Sequence, residues 1–136
     1  MPVDIRKYAA HATATIPLLD GQGIPLRDEN NVQATVTLYG PGSKDFAAAQ
    51  ARSQNRSIDR LKAKGRADQS AEEKERETAE YLASITERFD GIAYDDKTGR
   101  ELVNAIYGDS SLGFIAKQVH EAAGDWAVFT KPSSSN

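Results

Sequence analysis

Between Gly40 and Ser43 the chain changes its period. Before that point apolar residues recur at every second position: Ala12, Ala14, Ile16 and Leu18 in one run, then Val32, Ala34, Val36 and Leu38 in the next, with threonines and a glutamine between them. Such alternation turns one face of an extended segment to a core and the other to water, so both runs read as half-buried strands. After it the composition moves to alanine, glutamine, arginine, lysine and glutamate, all good helix formers. A strand period followed by a helical one within 136 residues predicts a single domain of α+β class. Its β-rich part, residues 12–39, is expected to be a small antiparallel hairpin or sheet, and its helical part, residues 43–129, to hold about four helices. The connection "DGQGIPLRDENN" is rich in turn residues, with room for a short strand from Ile24 to Leu26.

Local signals divide the helical part. The first helix is expected to run from an N-cap at Ser43 to Lys64, ended by Gly65. The second opens at Ser70, which stands at capping-box spacing from Glu73, and carries Thr78, Leu82, Ile85 and Phe89 on one face as far as Gly91. Thr98 and Glu101 repeat the capping-box spacing before a short helix through Leu102, Val103 and Ile106 to Gly108. The last helix starts between Asp109 and Ser111, and Leu112, Ile115, Ala116, Val119, Ala123 and Trp126 keep to one stripe, with Gly124 ending or bending it. Residues 130–136 read as a mobile tail, because Pro132 breaks any preceding helix and the rest of "KPSSSN" is polar.

Several chemistries lack their parts. The stretch "YGPGSK" resembles a phosphate-binding loop, but its length and order differ from G-x-x-x-x-G-K-[ST], and Pro41 removes an N–H where a phosphate cradle needs one. It reads instead as a strand-to-helix hinge. "DDKTG" at Asp95 to Gly99 looks like the phosphorylated-aspartate motif of cation-pumping ATPases over four residues, without the large α/β domain such an enzyme requires; a turn and a Thr98 cap account for it. Only His11 and His120 are present, cysteine is absent, and no G-x-S-x-G occurs, so neither a catalytic site, a metal nor a cofactor is expected. A net charge of −3 argues against a nucleic-acid partner. No apolar run is long enough for a membrane span or an export signal, and with no cysteine the expected compartment is the cytosol.

Charge is patterned. From Lys44 to Arg66 seven basic residues face two acidic ones, a net of +5, and from Asp68 to Asp90 eight acidic residues face three basic ones, a net of −5. Arg52, Arg56, Arg60 and Lys64 repeat every fourth residue as a basic ridge, with Ala47, Ala51, Ile58 and Leu61 roughly opposite. Two readings lead: an antiparallel helical hairpin whose opposite charges attract, or a ridge that meets an acidic helical partner; a third, nucleic acid, is disfavoured by the adjacent acidic helix. The closing stripe offers the same choice, since Leu112, Ile115, Val119, Trp126 and Phe129 either seal a core or line a partner groove or a homo-oligomer contact.

The order of features resembles the tail assembly chaperones of long-tailed, siphovirus-like bacteriophages. The likeness covers the chain from about Ile16 to Phe129 and is carried by Gly40, Ser43 and Phe46 in "LYGPGSKDF", by the loop "FDGIAYDD", and by Leu112, Phe114, Ile115, Gln118, Val119, Gly124, Asp125 and Phe129 in the closing helix. Members of that family often have tryptophan where Phe114 stands and asparagine where Val128 stands. The resemblance implies a non-catalytic protein of the host bacterial cytoplasm that binds the tape measure protein, keeps it soluble and helps recruit tail tube protein, in part through a frameshift-extended form. A structural virion protein of the tail or connector is the alternative with the same helical faces.

Overall fold

The computed structural model describes residues 2–64 and 70–130, Lys64 by its backbone only. Most of the 130–136 tail therefore lies outside the described residues, as do Gly65 and the side chain of Lys64. The α+β class holds. Strands β1 (Thr13–Pro17) and β2 (Thr35–Tyr39) pair antiparallel, with Ile16 opposite Val36. Between them the chain makes two aspartate-led turns: Asp20 Oδ1 accepts from the Gln22 and Ile24 N–H groups, and Asp28 Oδ1 from those of Asn30 and Val32. The short strand expected from Ile24 to Leu26 is reduced to single bridges, Leu19 to Pro25 and Arg27 to Gln33.

Among the described residues five α-helices accompany the sheet: α1 (Lys44–Lys64), α2 (Ala71–Ser84), α3 (Gly99–Tyr107), α4 (Gly113–Ala123) and α5 (Trp126–Thr130). Ser43 opens α1 as expected, its hydroxyl accepting from the Phe46 N–H at 3.1 Å and donating to the Gly40 carbonyl at 2.7 Å. Ser70 caps α2 through the Glu73 N–H. Thr98 stands at the N-cap of α3, but its side chain makes no capping bond.

One expectation fails. The helix read from Ser70 through Phe89 ends at Ser84, and Thr86–Asp90 form a third strand, β3, antiparallel to β2 on the side away from β1. Ile85 and Phe89 are four residues apart, a spacing that one face of a helix and one face of a strand both satisfy, so the pattern alone is ambiguous. Pairing decides it: β2 buries Val36, Thr37 and Leu38 and requires a partner on its second edge. A register shift opposite Thr37 and Leu38 leaves Glu87 as an extra residue, so both Thr86 and Phe89 turn inward. Arg100 secures the exit by donating to the carbonyls of Ala83 and Thr86.

The core lies between the sheet and helices α2 to α5, built on Leu18, Val36, Leu38, Leu82, Ile85, Val103, Ile106, Val119 and Phe129. Within it the Thr86 hydroxyl contacts the Tyr107 hydroxyl at 2.6 Å and donates to the Leu82 carbonyl at 2.8 Å. Burial pushes the Tyr107 phenol far above its ordinary range, against the smaller lowering effects of the Thr86 hydrogen bond and the Arg100 charge. Helix α1 buries only Phe46 and Ala49, at its start, and α2 buries Leu82 and Ala83, at its end. Ala79 and Tyr81 of α2 pack against the edge of that core, and Tyr81 meets the Phe46 ring edge-on.

Candidate partner-binding surface

The structure separates the residues that the sequence grouped. Ile115, Val119 and Phe129 are core, at 4%, 0% and 0% exposure, and offer no surface to a partner. Leu112 is half-buried. Trp126 is 56% exposed, against the expectation that it continues the stripe. The reason is a phase break. Helix α4 ends at Ala123, Gly124 caps it, and Asp125 starts a new helix by accepting the Ala127 N–H, which turns Phe129 inward and Trp126 outward beside Gly42.

The basic ridge divides in the same way. Arg56 pairs with Glu80 at 3.1 Å and Arg60 makes a two-oxygen contact with Glu77, an antiparallel register in which 56 meets 80 and 60 meets 77. The hairpin reading holds, and these two cations neutralise their own acidic neighbour instead of awaiting an outside partner. Arg52 is exposed, and Lys64 ends α1 with its side chain outside the described residues.

Gly40, Ser43, Phe46 and Phe129 come together at one junction. A Cβ on Gly40 would sit 2.5 Å from the Phe129 ring, so only glycine admits that ring against the strand end. The Ser43 hydroxyl holds the Gly40 carbonyl, and the His11 N–H donates to the Phe129 carbonyl at 2.7 Å. Gln118 joins positions 99 residues apart, its amide donating to the Leu19 carbonyl and accepting the Leu19 N–H. "YGPGS" is thus an architectural junction that clamps the closing helix. "DDKTG" is a turn in which Asp95 has a φ of 54° and the Lys97 N–H returns to the Tyr94 carbonyl.

Two open hollows flank the α3–α4 junction. The larger, about 590 Å³, runs between α2 and the start of α4, with Ala79, Leu82, Gly113 and Ala116 as its floor and Glu72, Glu75 and Arg76 on its rim. With alanine at 79 and 116 and no side chain at Gly113, a backbone can approach closely there. The second, about 420 Å³, is framed by Leu26, Ile92, Tyr94, Leu112 and Phe114. Asp109 stands where both meet. Hydrogen bonds from the Ser111 hydroxyl, the Tyr94 hydroxyl and the Ser111 N–H hold its carboxyl below the usual carboxylate range. Tyr94, donating to that carboxylate, is raised in turn. Sequence reading placed Thr78, Leu82 and Ala116 on apolar faces without seeing that Ala79, Gly108 and Gly113 leave a gap between those faces; only clustered small residues at helical spacing hinted at it.

Among the described residues no three histidine, aspartate or glutamate side chains gather as a metal site, and no helix is long and apolar enough to cross a membrane. No protein-family model matches the chain, and no curated protein or solved structure does.

Proposed function

We propose that this chain is a bacteriophage tail assembly chaperone: a non-catalytic protein of the host cytoplasm that holds a helical segment of the tape measure protein, keeps it soluble and helps recruit tail tube subunits. The observation that carries the reading is the open groove between α2 and α4, whose floor of Ala79, Leu82, Gly113 and Ala116 suits the apolar face of an incoming amphipathic helix. The contact of Gly40 with the Phe129 ring and the bond from Ser43 to the Gly40 carbonyl add support, because residues that mark a family by building its fold are expected to touch.

Gly113 supplies the test. A Cβ there meets nothing within 4 Å and its backbone is helical, so Gly113→Arg obstructs the groove without disturbing the fold. Co-expression with the tape measure protein is expected to keep that protein soluble and co-purifying with the wild-type chain, and the Gly113→Arg variant to lose at least tenfold of the captured material. Polar substitution of Val119 is a poorer probe, since that side chain is core. A folded variant that still captures the tape measure protein would remove the groove from the account; a tape measure protein equally insoluble with and without this chain would remove the function. Mass spectrometry of lysate and purified particles separates the alternative, because a virion component keeps a fixed copy number in the particle.

A further inference from the structure

Helix α1 carries a second, unpartnered face. Ala47, Ala51, Gln54, Ile58 and Leu61 are all exposed, with Ile58 at 49% and Leu61 at 51%, and their spacings alternate four, three, four and three. That is the seam of a helix packing against another helix at a period of 3.5. On a wheel of 100° per residue it lies well away from Phe46, Ala49, Arg56 and Arg60, the residues by which α1 meets the core and α2. The groove described above draws no residue from α1.

We propose that this seam binds the same seam of a second copy, antiparallel, forming a weak two-fold dimer. Size complementarity selects the orientation. Run antiparallel with each a-type position facing a d-type position, Ala51 lies opposite Leu61 of the second copy and Gln54 opposite Ile58, so each large side chain meets a smaller or slimmer one. Flanking positions agree: Asn55 faces Asn55, Ser57 faces Ser57, and Lys62 faces Ala48, with no like charges opposed. A parallel pair instead sets Ala47 and Ala51 against themselves, leaving that half of the seam thin, and places the two Lys62-bearing ends side by side. Area sets the strength. Only Ile58 and Leu61 are large, four such side chains in the dimer, fewer than the roughly 20–30 residues a side of a standard interface, so the association is weak. Gln54 near the centre fixes the register at some cost in affinity.

The chain has no cysteine, so single introduced thiols report the geometry directly. Sedimentation equilibrium from about 10 µM to about 1 mM is expected to show the molar mass rising toward twice the monomer value, and Ile58→Glu with Leu61→Glu to hold it at the monomer value with unchanged circular dichroism. Asn55→Cys treated with a short bis-maleimide is expected to give a covalent dimer. Lys62→Cys is not, because its two copies stand about 20 Å apart along the axis in the antiparallel arrangement. A monomer at every concentration, a dimer indifferent to the two glutamates, or cross-linking at position 62 in preference to 55 would each overturn the proposal. Should the double glutamate variant fail to fold, the two thiol variants still decide it.

Discussion

Gly40→Ala tests the junction on which the fold turns. The added Cβ would sit 2.5, 2.7 and 3.0 Å from three ring carbons of Phe129, whereas carbon atoms in contact settle at about 3.5–4.0 Å, so the ring must retreat by about 1 Å. Phe129 is fully buried and its backbone carbonyl is held by the His11 N–H, which leaves little room for retreat. Overpacking of this kind costs about 1–3 kcal/mol, and complete expulsion of the ring approaches the ~3–5 kcal/mol of a Phe→Ala truncation. Replacing glycine by alanine returns about 0.4–1 kcal/mol through the unfolded chain. The net expectation is a loss of about 2–3 kcal/mol, a large share of the ~5–15 kcal/mol typical of a domain. Urea denaturation of the wild type, Gly40→Ala, Phe129→Ala and the double variant measures it as a cycle. Since Phe129→Ala deletes all three clashing atoms, Gly40→Ala should cost nothing, or return about 0.4–1 kcal/mol, in that background, a coupling of about 2–4 kcal/mol. Costs that add, or a Gly40→Ala loss under about 0.5 kcal/mol, would show that the clash does not govern this site.

Three further expectations follow from hydrogen bonds in the structure. Thr86→Val strands the buried Tyr107 hydroxyl and should cost about 1–3 kcal/mol in urea denaturation, while Thr86→Val with Tyr107→Phe should cost clearly less than Thr86→Val alone. Ser70→Ala should cost about 1 kcal/mol because it deletes the bond to the Glu73 N–H, whereas Thr98→Ala should stay within about 0.5 kcal/mol because Thr98 makes no such bond; equal losses would contradict the cap assignment. Asp109 has its folded-state pKa below the unfolded value near 3.9, so its contribution is complete above that value and lost as pH falls through the folded pKa. The stability gap between wild type and Asp109→Asn should therefore be widest near neutrality and close in strong acid, and a gap independent of pH would refute the assignment.

The hairpin was legible from residues 44–90 because its signal is local and redundant. Opposite net charges, Ser70 three residues before Glu73 and the four-residue arginine spacing all point to the same two helices, and the ion pairs at Arg56 and Arg60 agree. Which apolar residues stay on the surface was not legible. A stripe such as Ile115, Val119 and Phe129 is equally apolar whether it seals a core or waits for another protein, and the choice rests on what the rest of the chain places over it.

By itself the sequence determined the period switch at Gly40 to Ser43, the class that follows from it, the turn-rich connection between the first two strands and the breaks at Gly108 and Gly124. These are dictated within a few residues, by side-chain alternation, by caps and by backbone freedom. The tertiary structure alone decided that Thr86–Asp90 is a strand, that Phe129 and not Trp126 enters the core, and that α2 and α4 stand apart far enough to leave a groove. Each of those outcomes depends on a neighbour distant in sequence: the open edge of β2, the missing Cβ at Gly40 that receives the ring turned inward by the break at Gly124, and the width between two helices. A local pattern compatible with two answers cannot choose between them until that neighbour is in place.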